Sequence, residues 1–148
     1  MTRQFFDQVD DELRGLLGPS MRDYQSLRTS RLIKIWYGEP TIHYEAQRVA
    51  PRWTPGRKAV LEIGLHLESR TADGNDEILG RLNERARSWK RKLPKAEAGS
   101  ALGPRAADWR RLSEILDGGE TEDPDFASEV AERLALYART LEPVLRRE

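Results

Sequence analysis

Apolar and polar residues repeat along the chain with two different periods, and the longer period predicts helices. Between residues 4 and 17, apolar residues recur every three or four positions while acidic residues occupy the opposite side, which is typical of an amphipathic helix. Gly18 and Pro19 end this helix. The same period predicts three further helices, over residues 75–93, 106–116 and 124–143.

The shorter period, in which every second residue is apolar, predicts strands. Three segments that alternate or are rich in β-branched and aromatic residues follow one another at residues 31–37, 41–48 and 58–68. Sequential strands with short connections usually pair, so we expect an antiparallel meander. Residues 20–27 fit a short helical turn, and residues 95–104 fit either a loop or one short edge strand.

Together these elements predict a single α+β domain over residues 1–148, a length that suits one domain. We expect a small antiparallel sheet of about three strands within residues 31–68. About four helices would pack on one of its faces, with the helical part at residues 75–145.

Composition excludes several classes of protein. The chain contains no cysteine, which excludes disulfides, thiol catalysis and thiolate metal sites. Basic and acidic residues number 25 each, so no overall field favours nucleic acid or membrane. No apolar run is long enough to span a bilayer, and the first residues lack the apolar region of a secretory signal. We therefore expect a cytoplasmic protein without a membrane partner.

Polar side chains on two of the predicted strands form the candidate chemical site. Side chains alternate between the faces of a strand, so residues 41–48 and 58–68 each direct polar groups to one side. If the two strands pair, both histidines of the protein share a face with three glutamates. The set is His43, Glu45, Glu62, His66 and Glu68. Such a cluster can bind a divalent metal ion or perform acid–base chemistry.

A structural interpretation of the same residues stands beside the functional one. An antiparallel sheet with one solvated face shows polar side chains at alternate positions whatever its function. Glu–His pairs across strands are ordinary stabilising contacts. Gly64 fits either interpretation, because a glycine inside a strand indicates the close approach of another group.

A run of basic residues marks the end of the helix predicted over residues 75–93. Its members that can bind nucleic acid or phosphate are Arg81, Arg85, Arg87, Lys90 and Arg91. A solvated helix face is the simpler explanation of the run. The stretch 114–132 contains eight acidic residues and no basic one, so the two blocks of charge can also face each other in the fold.

Short motifs exclude some activities and indicate one resemblance. The chain has no phosphate-binding loop, no nucleophile elbow and no zinc-finger spacing. The segments at residues 43–45, 61–68, 131–134 and 141–143 resemble those of an uncharacterised family of small bacterial α+β proteins. The order of elements is also similar to that of domains attached to restriction-type nucleases. The resemblance implies no activity, and the acid-x-Lys pair of those nucleases is missing after Glu45 and Glu62.

Two functional hypotheses follow from these patterns. The first is a non-catalytic binding or regulatory module with a protein or nucleic-acid partner, which rests on the missing catalytic motifs and on the separated blocks of charge. The alternative is a metal-dependent or acid–base hydrolase of a phosphate-containing substrate. In that hypothesis the His/Glu face does the chemistry and the arginines of residues 81–91 hold the phosphate. No motif requires a cofactor, and the identity of a metal and the oligomeric state remain open.

Overall fold

The structure, a computed structural model, describes residues 4–146, which form one antiparallel sheet and three α-helices. The helices are α1 (Gln4–Leu16), α2 (Ala72–Glu84) and α3 (Pro124–Leu145). The strands are β1 (Gln25–Arg28), β2 (Leu32–Trp36), β3 (Ile42–Val49), β4 (Val60–Leu67), β5 (Glu97–Ser100) and β6 (Arg110–Asp117). Two 3-10 turns lie at Pro51–Trp53 and Ala86–Ser88.

The six strands are ordered β1-β2-β3-β4-β6-β5. β2, β3 and β4 form the expected three-stranded meander, which β1 extends at one side. β6 then pairs with β4, and β5 occupies the other edge. The predicted fold of about three strands and four helices is therefore wrong in both counts. The sheet extends beyond residues 31–68 at both ends, because residues 20–27 contain most of β1 and the region predicted to be helical contains β5 and β6.

The main error is the helix predicted over residues 106–116, most of which is β6. Trp109, Leu112 and Leu116 have helical spacing, but in the structure successive side chains of this segment point to opposite faces of the sheet. Leu112, Glu114 and Leu116 lie opposite residues of β4 on one face, while Arg111, Ser113 and Ile115 lie on the other. Both faces of β6 are largely buried, so its polar residues face inward and conceal the alternation.

The helix predicted over residues 75–93 is also shorter than expected. α2 ends at Glu84, and the chain continues through the 3-10 turn. Trp89 and Leu93 are nevertheless buried, and Trp89 Nε1 donates a hydrogen bond to the carbonyl of Leu82 at 2.8 Å. The prediction that Trp89 and Leu93 belong to the core is thus confirmed, but a turn and a loop, and not a helix, carry these two residues into it.

Helices cover one side of the sheet, which we call the helix face. On the two central strands it consists of Ile42, Tyr44, Ala46, Leu61, Ile63, Leu65 and Leu67. α1 packs against α3, and α3 lies on β3 and β4. α3 begins as predicted, with Asp123 as the N-cap and Pro124 at the first helical position. Within residues 4–146, no helix is both long enough and apolar enough to cross a membrane.

The opposite side of the sheet, which we call the polar face, carries the other alternate residues. Across β3, β4 and β6 it includes His43, Glu45, Gln47, Glu62, Gly64, His66, Arg111 and Ser113. Gly64 is required there because β6 approaches very closely. A Cβ atom at this position would collide with the carbonyl oxygen of Leu112 and the Cα of Ser113. The close approach that the sequence indicated for Gly64 is confirmed.

Candidate metal centre

The pairing of β3 with β4 brings the predicted His/Glu residues together on the polar face. His43 lies directly opposite His66, and Gln47 lies opposite Glu62. The two imidazole rings are 5.5 Å apart between centroids. Glu45 and Glu68 approach the same point from the adjacent positions. The expectation that both histidines share a face with three glutamates is confirmed.

The polar face is buried, contrary to the idea of a solvated sheet surface. The relative exposure is 1% for His43, 2% for Glu45, 0% for Glu62 and 2% for His66. The β5–β6 loop, residues 101–109, lies over this face and forms a cavity with it. A hydrogen bond from the amide of Ala101 to the carbonyl of Trp109, at 3.0 Å, closes the loop at its base.

His43 has one ring nitrogen fixed outside the cluster and the other directed into it. Its Nδ1 is 2.8 Å from the carbonyl oxygen of Pro40, in the β2–β3 connection. A carbonyl only accepts, so Nδ1 carries a hydrogen and donates it. Its Nε2 is 2.8 Å from Oε1 of Glu45 and 3.7 Å from Oε2 of Glu68. A hydrogen shared between Nε2 and Glu45, or a metal ion between Nε2 and the carboxylates, makes these contacts attractive.

His66 is arranged in the same way, with the roles of its nitrogens reversed. Nε2 donates to Oε2 of Glu62 at 3.1 Å. Nδ1 faces the cluster, 3.3 Å from Oε2 of Glu68 and 3.6 Å from Oε1 of Glu45. A carboxylate behind a histidine fixes its tautomer and ring orientation, and this is the usual second layer of a histidine metal ligand.

Glu62 is itself held in place by three donors. Besides His66, it accepts hydrogen bonds from Nε2 of Gln47 and from Oγ of Ser113, both at 2.6 Å. Arg111 Nη1 in turn donates to Oγ of Ser113 at 2.8 Å. Burial alone would raise the pKa of Glu62, but the charge of His66 and these hydrogen bonds lower it to about 2. Glu62 is therefore a fixed negative charge behind His66.

The same contacts set the protonation of the neighbouring groups. Burial opposes a charge on His66, but Glu62 and Glu45 raise its pKa well above the ordinary value. Burial likewise opposes a charge on Glu68, and the hydrogen bond from His66 with the charges of His43, His66 and Lys34 lowers its pKa. Without a metal, the cluster is a network of buried ion pairs in which His66 must lose a proton before it can bind a metal ion.

The spacing of the inward atoms fits one metal ion. One ligand atom each from His43, Glu45, His66 and Glu68 lies within 4.8 Å of the others. Ligands bound tetrahedrally to zinc at 2.0–2.1 Å are about 3.3 Å apart. The four distances between a histidine nitrogen and a glutamate oxygen, from 2.8 to 3.7 Å, scatter around that value, and the His–His and Glu–Glu pairs lie within 4.8 Å. Two imidazoles with carboxylates are a donor set that suits zinc and similar divalent transition metals.

The cavity above the cluster has a volume of about 190 Å³. From the sheet it is lined by Leu32, Lys34, Glu45, Gln47, His66 and Glu68, and from the β5–β6 loop by residues 101–105 and Trp109. Two cationic groups here were missed by the sequence analysis. Lys34 Nζ lies 3.6 Å from Glu68 and 3.9 Å from Glu45, and Arg105 is part of the loop. Lys34 belongs to the alternating pattern of β2, so its face was predictable from the sequence.

The basic residues predicted to bind phosphate lie elsewhere. Arg81 belongs to α2 and Arg85 caps its end, where Arg85 Nη1 donates to the carbonyl of Val144 in α3. The end of α2 therefore meets the end of α3, away from the His/Glu cluster, while α2 itself packs on β4 and β6. Arg87, Lys90 and Arg91 follow the helix and line a separate open depression of about 670 Å³. The structure does not bring these residues to the cavity, and their binding of phosphate stays a prediction.

Acidic residues of the stretch 114–132 have partners outside the basic run. Glu114 accepts from Arg133 at 3.1 Å and from Tyr137 at 3.0 Å. Asp117 pairs with Arg57 at 2.9 Å, and Glu122 lies 3.6 Å from Arg48. These pairs place the acidic charge beside other arginines, and they leave the exposed basic run at residues 87–92 facing solvent.

Comparison with protein-family models, with curated proteins and with solved structures finds no match. The resemblance to small bacterial α+β proteins and to domains attached to restriction-type nucleases therefore stays a prediction. Function must be argued from the geometry of the cluster and its cavity.

Proposed function

We propose that this protein binds one divalent metal ion of the zinc type on the polar face and acts as a metal-dependent hydrolase. The proposal develops the alternative hypothesis of the sequence analysis. It rests on a single observation. Each histidine donates one ring N–H to a fixed acceptor, Pro40 or Glu62, and directs its other nitrogen at Glu45 and Glu68.

Energetic reasoning favours a binding role for this arrangement over a purely structural one. Buried ion pairs seldom stabilise a fold more than well-packed apolar residues would. A cluster of buried imidazoles and carboxylates is therefore poorly explained by stability. Perturbed titratable groups beside a cavity are typical of functional sites. In this cluster His66, Glu62 and Glu68 are all perturbed.

The side chains divide into ligands and a base by their position relative to the cavity. Of the four residues whose ligand atoms meet, His43, His66 and Glu45 are the most buried, and two histidines with one glutamate form a known catalytic zinc set. Glu68 is more exposed, with 12% of its side chain accessible, and it contacts Lys34. A metal ion held there would lower the pKa of a water molecule at the site. We assign Glu68 as the general base that accepts the proton of that water.

Metal binding is tested by calorimetric titration of chelator-treated protein with zinc and with manganese. We expect one site per chain, and at least a 100-fold loss of affinity in His43→Ala, His66→Ala and Glu45→Gln. Glu132→Gln, on the exposed side of α3, is the matched control and should bind as the wild type does. Absence of binding, or equal binding by all variants, would overturn the metal site.

The hydrolase assignment has its own test. Metal-loaded protein is assayed against a panel of chromogenic phosphate esters and carboxylic esters. We expect turnover that chelation removes and added metal restores. Glu68→Gln should lose at least 100-fold in kcat while it still binds the metal. A metal-loaded protein without turnover on any of these substrates, or a fully active Glu68→Gln, would contradict catalysis.

The basic run at residues 87–92 supports a second candidate, the binding module of the sequence analysis. Arg87, Lys90 and Arg91 are exposed around an open depression, and such a surface attracts a polyanion such as nucleic acid. Capture of single-stranded and duplex nucleic acid at two ionic strengths tests it. Weaker binding at high salt and in Arg87→Gln/Arg91→Gln supports the module. Absence of binding at low salt contradicts it.

A further inference from the structure

Two cationic side chains, Lys34 and Arg105, line the cavity over the proposed metal centre. Lys34 projects from β2, and its Nζ lies within 4 Å of one oxygen each of Glu45 and Glu68. Arg105 projects from the β5–β6 loop on the other side of the same cavity. Both are partly accessible, with 26% and 52% of their side chains exposed, so both can reach a ligand.

Arg105 is held in a defined orientation. Its guanidinium lies over the ring of Trp109, 4.7 Å from the centroid, and Trp109 also lines the cavity. Stacking on an aromatic ring fixes the plane of a guanidinium and leaves its edge available for hydrogen bonds. The contact of Arg105 with Asp108 is long, at 3.5 Å, and is exposed. A stronger acceptor can therefore replace it at small cost.

The size of the cavity limits what it can hold. Its volume of about 190 Å³ lies below the ~300–1,000 Å³ of sites that hold drug-sized ligands. It therefore accommodates a small molecule or one end of a larger one. Arg donors bind phosphate through two parallel hydrogen bonds, and Lys adds a point charge. In the metal-free protein the carboxylates of Glu45 and Glu68 repel an anion, and a bound divalent ion removes that repulsion.

We propose that the cavity binds the phosphate group of a small phosphate-containing compound between Lys34 and Arg105, above the metal ion. The inference rests on the proposed metal site and names the substrate class of that same site. Arg105 supplies the bidentate contact, Lys34 supplies the charge nearest the metal ligands, and Trp109 orients Arg105. The basic run at residues 87–92 has no part in this binding.

The test is a calorimetric titration of zinc-loaded protein with inorganic phosphate. We expect binding that weakens at least tenfold in Arg105→Gln and in Lys34→Gln. Arg105→Lys, which keeps the charge but loses the planar donor pair, should recover only part of the affinity. Arg22→Gln, an exposed arginine between α1 and β1, is the control and should bind phosphate as the wild type does.

Zinc affinity is measured on the same variants, so that a failure of this inference differs from a failure of the metal site. Zinc binding without phosphate binding, or phosphate binding that Arg105→Gln leaves unchanged, overturns the present inference alone. Acetate that competes as well as phosphate overturns the substrate class. Phosphate binding that Arg105→Gln weakens in a protein without zinc affinity supports the anion site and overturns the metal proposal.

Discussion

The two faces of β3 and β4 are both buried, yet they are buried by opposite means. On the helix face, Leu61, Ile63 and Leu65 have no exposed surface, and their strand packs under α2 and α3. Removing that apolar surface from water stabilises the fold by about 25 cal/mol per Å². On the polar face, Glu62 and His66 are buried equally well, but each needs a specific partner to offset lost hydration. Folding explains the burial of the helix face, and the polar face is the one for which we propose a function.

The comparison predicts its largest effect on the helix face. Replacing Ile63 with Ala removes a fully buried side chain and leaves a cavity under the helices. We expect the free energy of unfolding to fall by about 2–5 kcal/mol. Zinc affinity should stay within twofold of the wild type, because Ile63 points away from the cluster. Denaturant titration and calorimetry measure the two quantities. A drop in the free energy of unfolding below about 1 kcal/mol would contradict the tight packing of the helix face. A lost metal site would show that the two faces are not independent.

The second prediction concerns the stability that the polar face gains from metal. Zinc at 100 times its Kd should raise the free energy of unfolding by about 2.7 kcal/mol, because the ion binds the folded state. The increase should vanish in Glu45→Gln and persist in full in Ile63→Ala. Denaturant titration with and without zinc checks this. An increase of the same size in Glu45→Gln would mean that the metal binds elsewhere.

The third and smallest effect is the pH dependence of the metal-free protein. The pKa of Glu62 is lowered to about 2, so its contribution to stability is present above pH ~4.5 and is lost as the pH falls towards 2. The pKa of His66 is raised, so its contribution is present below pH ~6.5 and is lost as the pH rises through its value in the folded state. The pair should therefore favour the fold most between pH ~4.5 and 6.5.

Denaturant titrations from pH 2.5 to 9, with chelator present, measure this dependence. We expect a slope of about 1 kcal/mol per pH unit on the acid side from this pair, since one proton per molecule corresponds to ~1.4 kcal/mol per unit. Glu62→Gln removes the charge that both shifts depend on and should flatten both sides of the profile. An unchanged profile in Glu62→Gln would assign the pH dependence to other groups.

Much of the polar face was predictable from the sequence, because alternation assigns side chains to faces before pairing is known. His43, Glu45, Glu62 and His66 were placed on one side by that rule, and the observed register agrees. Their burial was not predictable. It depends on the β5–β6 loop, whose sequence is rich in Gly, Ala and Pro and shows no period that indicates where it lies.

The strand β6 was mistaken for a helix for the same physical reason. On its polar face, Arg111 and Ser113 support Glu62 and follow the alternation of a half-buried strand, but Ile115 on the same face breaks it. On the helix face, Glu114 takes an apolar position and is satisfied by Arg133 and Tyr137. The polar residues of β6 are thus satisfied by residues far away in the sequence. A pattern read within one segment does not show such partners, so the strand appeared helical.

The position of the β5–β6 loop separates the proposed substrate preference from the proposed reaction chemistry, so evolution or design can change the two independently. The proposed metal ligands lie on β3 and β4, in the interior of the sheet, whereas Arg105 and Trp109 belong to a hairpin connection at its edge. Hairpin connections tolerate insertion and replacement far better than central strands do. Exchange of residues 101–109 between related chains would then transfer substrate preference while the reaction chemistry stayed with the recipient sheet.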